Sequence, residues 1–467
     1  MIYLVIGAGL YFSVRTRFLQ IRLVREMIQL MIQGKSSKMG ISPFQALALS
    51  LSGRVGTGNI AGTATAIAFG GPGSIFWMWL IAIIGASTSY IESTLAQIYK
   101  EQRHGLYRGG PAYYIEKGIG LKWYAAIFAI ASILAMSLLM PGIQSNSIAL
   151  SFKEAFHVPL LYTAIFLIAL LALIIFGGVK RIVQVAQYVV PFMAIGYLLL
   201  AFIIIIIHAS ELPEILRLIL SSAFGMEPAF GGILGMTIIW GVKRGIYSNE
   251  AGQGTGPHAA AVAEASHPAK QGLVQAFSIY VDTLLVCSAT AFMILITGKY
   301  NTEGPNGSFL VQNLPNVEAG TAFTQAAIES VFTGFGAGFV AIALFFFAFT
   351  TIMAYYYIAE TNVIYLLRGK NHKWALFLLK LILLFSVFYG CIRTATSAWT
   401  LGDIGLGIMV WLNMIAIIFL SNHAIKALRD YEEQRKKGLD PQFDSKSLGI
   451  DHADFWNKEK SEQEKIS

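Results

Sequence analysis

Residues 50–62 read SLSGRVGTGNIAG. Four glycines, an arginine and an asparagine stand here inside a stretch that is otherwise largely apolar from Pro43 to Gly70. A continuous membrane helix gains nothing from such an interruption. Backbone freed from its helical partners is tolerated at membrane depth only where it lines a cavity or is buried in protein, so the stretch reads as a helix broken to make a binding site. Close packing through small residues accounts for Gly58 and Gly62 at four-residue spacing, but not for Arg54 and Asn59 among them.

The rest of the chain sets this stretch in a membrane. Of 467 residues, 55% are hydrophobic and 13% charged, about half the charged share of an average soluble domain. Runs such as Leu160 to Phe176, Pro191 to Ile207 and Met409 to Leu420, with their flanks, approach the ~20 residues that cross ~30 Å of hydrocarbon. The formal charge of +8 does not point to nucleic acid, because the basic residues lie between apolar segments instead of clustering on a folded domain. Cys287 and Cys391 fall inside predicted spans and are expected as packed thiols, with no disulfide or metal framework.

Apolar runs and their breakers predict eleven transmembrane helices, near residues 1–14, 43–70, 74–99, 123–150, 158–178, 182–208, 228–265, 272–297, 336–366, 374–392 and 399–421. The first has no basic leader and no small-residue cleavage site, which argues against a signal peptide. At ~1.5 Å per residue it reaches only ~21 Å, so the expectation is a truncated helix that the chain enters part-way. With the N-terminus outside, the inside connections hold seventeen Lys and Arg, from Arg15 and Arg17 to Lys370 and Lys373. The outside connections hold four, Lys153, Arg217, Lys299 and Arg393. This asymmetry predicts a multi-pass protein of the cell membrane with its C-terminus in the cytoplasm. Residues 15–42 are then a basic amphipathic cytoplasmic linker, and residues 422–467 a charged, solvated and partly disordered cytoplasmic tail.

The seventh span repeats the interruption. Gly231, Gly232 and Gly235 lead into GVKRGIYSNEAGQGTGP over residues 241–257. Two broken spans five places apart in the helix order run in opposite directions, which is the arrangement of paired broken helices in an inverted-repeat transporter. The predicted fold is therefore all-α and membrane-integral: one N-terminal helix, then five helices over 43–208 and five over 228–421 as inverted repeats. Position and breakage carry this reading, since the two halves share no visible sequence similarity.

These residues also carry a family resemblance. The run GRVGTGNIAGTATAIAFGGPGSIFWMW from Gly53 to Trp79, the motif from Gly241 to Pro257, HPAKQGL with Asp282 and Thr283 after it, and FAFTTIMAYYYIAE from Phe347 to Glu360 together resemble the alanine or glycine to cation symporter family. The resemblance extends from about Gly9 to Asn422. It implies a LeuT-type fold, a sodium site and a small amino-acid pocket. Tyr355, where the family commonly has tryptophan, and Thr255-Gly256, in place of Ser-Ala, depart from the family pattern and bear on the size of that pocket.

The expected site follows from the chemistry of its cargo. An amino acid brings a carboxylate and an ammonium that must both find partners away from water. The half-helix after Gly58 offers free N–H groups and a positive dipole end to the carboxylate, with side chains of Thr57 and Asn59 beside it. Unwound carbonyls at Ile239, Trp240 and Gly241 suit the ammonium, and Gln144 and Asn146 are further polar candidates. Tyr355, one turn from Thr351, is the expected pocket wall, with Trp240 as the other candidate. Sodium wants oxygen ligands: hydroxyls of Thr350 and Thr351, with carbonyls of Ser52, Val55 and Phe347, make a five-oxygen shell of the LeuT-type pattern. Back-bonding of the two threonines to carbonyls one turn earlier is the structural alternative. A proton-coupled carrier is the other functional reading, yet no Asp, Glu or His lies between Phe345 and Tyr357.

The charges within the spans are expected to pair, because an isolated one there is costly. Arg54, Lys243 and Arg244, with Glu92, Glu250 and Glu360, are expected on the cytoplasmic side of the breaks, where pairs that part on opening make an inner gate; static ion pairs are the alternative. Other functions find less support. Gly34, Lys35, Ser36 and Ser37 look like the end of a P-loop, but Gln29 stands where its first glycine belongs. The histidines form no HExxH pair and there is no G-x-S-x-G elbow, so a membrane enzyme lacks its nucleophile or metal. No organic cofactor is implied. A channel needs a continuous lining, whereas two breaks meeting at mid-depth point to one enclosed site.

Overall fold

In the computed structural model, residues 1–33, 40–103, 105–368 and 370–457 are described, and they are mostly helical. The Gly34 to Ser37 run lies outside them. The chain opens with α1 (Ile2–Arg15) and two short helices, α2 (Leu19–Arg22) and α3 (Val24–Gln33). The first broken helix follows. Its first half, α4 (Pro43–Arg54), starts on a capping box: Ser42 Oγ accepts from the Gln45 N–H, Gln45 Oε1 accepts from the Ser42 N–H, and Pro43 takes the first turn. After Arg54 the backbone is extended at Val55, and helical winding resumes as a π-turn over Gly58–Gly62 and then α5 (Thr63–Gly70).

Next come α6 (Ser74–Ile98), a hairpin of β1 (Glu101–Arg103) and β2 (Leu106–Arg108), and α7 (Pro111–Tyr114). A bent span follows, α8 (Lys122–Leu134) into α9 (Pro141–Phe156), with a π-turn before Pro141, which cannot donate to the ladder. Then come α10 (Leu160–Ile175), α11 (Val179–Ile207) and the amphipathic α12 (Leu212–Ala223). The second broken helix is α13 (Leu234–Asn249) and α14 (Gly256–Val262). The chain then forms α15 (Pro268–Ile279), π-turns over Tyr280–Cys287, α16 (Ser288–Ile296), a hairpin of β3 (Asn301–Glu303) and β4 (Phe309–Gln312), and α17 (Thr321–Val331). It ends with α18 (Gly336–Leu366), α19 (Lys373–Ile392) and the 42-residue α20 (Ala395–Lys436).

Among the described residues, seven helices are long and apolar enough to cross a membrane, and α1 and α10 are shorter apolar helices. Their packing divides them. The apolar window of α11 has a mean hydropathy of 2.8 yet is only 33% buried, so most of its Ile, Leu and Phe surface requires an apolar solvent. By contrast 72% of the window of α6 is buried, and α6 runs through the middle beside both broken helices.

One end of the bundle, the basic face, carries the β1–β2 hairpin, Lys117, Lys270 and Arg368, tied together through Glu101 and the acidic residues Asp440 and Asp454 of the returning C-terminal segment; the β3–β4 hairpin, α12 and α17 lie at the far face, against α5 and α16. The two broken helices are joined half to half. At the basic face a short bridge pairs Ile41, just before α4, with Ala263, just after α14: the Ile41 N–H donates to the Val262 carbonyl at 3.1 Å, and the Glu264 N–H to the Ile41 carbonyl at 2.8 Å. Toward the far face α5 lies on α13, with Phe69 stacked on Trp240 at 4.7 Å.

The solvated tail expected from residue 422 is instead folded as far as it is described. α20 continues to Lys436, and the chain after it returns across the basic face. Phe443, Ile450, Ala453 and Trp456 are buried, the Phe443 N–H donates to the Ser266 carbonyl at 3.0 Å, and Trp456 Nε1 donates to the Gln97 carbonyl at 3.0 Å. The charged composition hides a docking face made of a few well-spaced apolar residues.

Candidate functional site

The first break lies where its glycines approach other helices. A β-carbon on Gly56 would stand 2.5 Å from Thr351 Oγ1, and one on Gly58 would stand 3.1 Å from Ser248 Cα. The break thus touches both α18 and α13. Its amides are held by side chains: the Gly56 N–H donates to Asn59 Oδ1 at 2.8 Å, and the Thr57 N–H donates to Gln144 Oε1 at 3.1 Å. Thr57 Oγ1 is buried and has no hydrogen-bond partner. Gln144 Nε2 reaches the Tyr247 hydroxyl at 3.4 Å, and Tyr355 is buried beside both. Thr57, Gly58, Asn59, Gln144 and Tyr355 therefore lie together around the first break. Asn146 is not among them: its Nδ2 donates to the carbonyls of Gly390 and Arg393, tying α9 to the end of α19.

The predicted ion ligands also meet. Thr351 Oγ1 lies 3.5 Å from the Val55 carbonyl and donates to the Phe347 carbonyl at 3.0 Å. Thr350 Oγ1 donates to the carbonyls of Phe346 and Phe347, and Ser52 Oγ to that of Leu49. Both threonines thus make the back-bond to the preceding turn, which leaves hydroxyl lone pairs free to face a cation. Thr350, Thr351, Ser52, Val55 and Phe347 are all buried.

The second break corrects the sequence reading. Ile239, Trp240 and Gly241 are inside the unbroken α13, so their carbonyls are spent in the helix; Ile239 is 45% exposed on its outer side. Gly241 and Gly245 allow close packing on α6, where a β-carbon would strike Ser74 and Ile81. The chain actually breaks at Glu250 to Thr255, where Glu250, Gly252 and Gly254 take φ of 55°, 82° and 84°. Two glycines supply that left-handed backbone at little cost.

Asp282, on the π-turns after α15, lies between the two breaks, a place the sequence did not assign to it. Its Oδ1 accepts from Asn59 Nδ2 at 2.7 Å, and its Oδ2 accepts from the hydroxyls of Ser248 at 2.9 Å and Thr283 at 2.7 Å. Tyr247, Ser248 and Asp282 are the site residues that pattern reading left without a role. An aspartate in an otherwise apolar span was the available signal.

The charged residues fall on two sides instead of one. Arg54, buried at the end of α4, donates to the hydroxyls of Ser278 and Ser89 and to the Gln275 carbonyl. Glu250 Oε2 accepts from Thr255 Oγ1 at 2.7 Å, and Glu360 pairs with Arg108 at 3.1 Å. These lie toward the basic face. Arg244 and Lys243 precede the true break and so lie toward the far face, paired with Asp403 at 3.3 and 2.7 Å. Arg244 stands 3.9 Å from the ring centre of Trp399 and 4.9 Å from that of Trp240. These residues line a cavity of about 1210 Å³ that reaches the β3–β4 hairpin. Tyr247 stands 5.0 Å from Trp399 between ring centres, and Trp399 and Arg244 also lie against Gly62 at the end of the first break, where a β-carbon would stand 3.7 and 3.9 Å from them. Trp240 is thus part of the cavity wall toward the far face and not of the enclosed site.

Residues 1–445 match the sodium:alanine symporter family. The chain is 66% identical, over all of its length and 96% of the other's, to YrbD of Bacillus subtilis (strain 168), provisionally named a sodium/proton-dependent alanine carrier. It is 56% identical to the sodium/proton-dependent alanine carrier protein of Bacillus sp. (strain PS3), over 92% of this chain and 97% of that one. It is 44% identical to GlnT of Bacillus subtilis (strain 168), provisionally named a sodium/glutamine symporter, over 95% of this chain and 90% of that one.

Proposed function

Because the chain belongs to the sodium:alanine symporter family, we propose that it moves alanine or glycine across the cell membrane together with sodium, by alternating access. The names of the alanine-carrying relatives support the cargo. One observation carries the mechanism: Thr351 of α18 and the Val55 carbonyl meet beside the first break, held close by Gly56. Sodium bound there takes the carbonyls of Ser52, Val55 and Phe347 and the hydroxyls of Thr350 and Thr351. It fastens α4 to α18 and so fixes the break in the shape the amino acid needs.

The carboxylate goes to the first break, where the unsatisfied Thr57 hydroxyl and the amide-rich turn await an acceptor. The ammonium goes to the carbonyls that end α13 next to Ser248, with the Asp282 carboxylate behind them. Tyr355 closes the pocket around a small side chain. Eleven membrane crossings with inverted five-helix repeats fit the two broken helices, whose halves pair in opposite directions. The distribution of Lys and Arg puts the basic face in the cytoplasm and the N-terminus outside. On this reading the large cavity opens outward, Arg244 and Asp403 guard it, and Arg54, Glu250 and Glu360 belong to the closed inner side.

The test is uptake of radiolabelled alanine into proteoliposomes. An inward sodium gradient should drive accumulation against the alanine gradient. Equal uptake in sodium-free buffer would refute sodium coupling, and flux that never exceeds equilibrium would point to a channel.

A further inference from the structure

Three buried carboxylates, Glu92, Glu250 and Asp282, lie within electrostatic reach of one buried guanidinium, that of Arg54. Among the described residues, none of them forms an ion pair with it within 4.0 Å. Their local compensation differs sharply. Asp282 has three donors. Glu92 accepts from Asn413 Nδ2 at 2.8 Å on one oxygen and from the Gly252 N–H at 3.4 Å on the other. Glu250 has one donor, Thr255 Oγ1, and its Oε1 is buried with no partner. An anion in a membrane interior with one oxygen unsatisfied is the costliest of the three.

A second orphaned atom belongs to a residue that lines the same small void as Glu250. Ser50 Oγ is also buried without a partner, and Ser50, Gly53, Glu250, Thr255 and Tyr357 line a void about the size of one water molecule. A neutral carboxyl can donate from Oε1 to the Ser50 hydroxyl or to a water in this void, which gives both orphaned atoms a partner without leaving a charge in the membrane interior. The other titratable groups around Glu250 are Tyr247 on its own helix and Tyr355 and Tyr357 on α18; His258 of α14 is engaged with Asn362 and the Thr255 carbonyl. None of them supplies Oε1 with a donor.

We propose that Glu250 is a proton-binding site, neutral while the inner side is closed, that exchanges its proton with water at the basic face as α14 moves. Its position supports the coupling. Glu250 is the left-handed residue at the second break, its one donor begins the next half-helix, and Gly53 of α4 lies against its Oε2. When α14 parts from α4, water reaches the void and the O–H bond at Oε1 breaks. The proton passes to water, giving hydronium, and the carboxylate is left solvated. Closure reverses the step. This rests on the symport reading above and adds a proton to its cycle.

Infrared difference spectroscopy of the purified full-length protein, with sodium and with or without alanine, tests it. The expected result is the stretching band of a protonated buried carboxyl that shifts in heavy water, vanishes in Glu250→Gln and survives in Asp282→Asn. Ser50→Ala, a milder change, should move the band by removing an acceptor. A band that persists in Glu250→Gln, disappears in Asp282→Asn or ignores Ser50→Ala overturns the proposal, as does the absence of any such band in the wild type. Calorimetric titration of alanine with and without sodium on the same wild-type sample tests the symport reading by itself, so the two can fail separately.

Discussion

Asn59 donates through Nδ2 to Asp282 Oδ1 over 2.7 Å, joining the first broken helix to a residue 223 positions away. Through Oδ1 the same side chain accepts the Gly56 N–H, so one amide fixes the turn of the break and its distance from the π-turns after α15. Asn59→Ala removes both bonds and leaves Asp282 with two donors. A hydrogen bond to a charged group is worth ~1.5–3 kcal/mol, so alanine affinity is expected to fall ~10- to 150-fold. Equilibrium binding of labelled alanine to membranes with normal amounts of inserted protein checks this. Unchanged affinity would remove Asn59 from the site.

Thr351→Val keeps the shape of the side chain and deletes the oxygen that faces Val55. The sodium concentration for half-maximal uptake is expected to rise by roughly tenfold or more, the equivalent of ~1.4 kcal/mol, with little change in expression. Linkage adds a stricter demand: in the wild type, alanine must raise sodium affinity by the same factor by which sodium raises that of alanine. An unaltered sodium titration in the variant would place the ion elsewhere.

Tyr355 is buried and borders Gln144 and Tyr247. If it walls the pocket, Tyr355→Ala should admit larger neutral amino acids. One methylene in a pocket is worth ~1–3 kcal/mol, so preference for alanine over leucine should drop at least tenfold. Competition assays with a series of side chains measure it, and an unchanged rank order would assign the wall to other residues.

What the sequence made legible, and what it hid, is clearest at the glycines of the second break. Gly241, Gly245, Gly252 and Gly254 look alike in a run of residues, yet the first two let α13 approach α6, and the last two supply positive φ. Composition finds the broken helix but cannot distinguish these two uses, so the break was read about ten residues early. That shift put Arg244 on the wrong side of it. The first break lies where the sequence places it, because Arg54 and Asn59 bracket it with side chains that small-residue packing does not explain. Asp282 was unreadable for another reason: its three donors come from Asn59, Ser248 and Thr283, and two of these lie on other helices.

The corrected position of Arg244 changes its expected role. It is sandwiched between Trp240 and Trp399 and paired with Asp403 over the enclosed site, so it should govern access from the far face and not from the basic one. Asp403→Asn is expected to speed labelling of a cysteine introduced at Thr65, which lines the large cavity, by reagents added outside. Arg54→Gln is expected to act on the opposite side, at Ser50→Cys. Equal effects of both variants from one side would contradict the division.

Docking of the folded C-terminal segment is expected to depend on pH, with a sign that follows from His267. The imidazole, just before α15, is buried against Tyr431 and Phe443. Its Nδ1 accepts the Ala269 N–H at 3.1 Å, so Nε2 carries the proton and lies 3.0 Å from Asp430 Oδ2. Burial holds this group below its ordinary value in spite of the aspartate. Undocking takes Phe443 off the ring and opens it toward water, so the group titrates closer to its usual ~6.5 and binds a proton before the docked form does. Docking is therefore favoured above about pH 6.5 and weakened as the pH falls below it. Amide exchange over residues 437–457, corrected for its intrinsic pH dependence, should be faster at about pH 5.5 than at about pH 7.5, and the difference should vanish in His267→Gln. Identical protection at both pH values in the wild type would show that the ring does not control the docking of this segment.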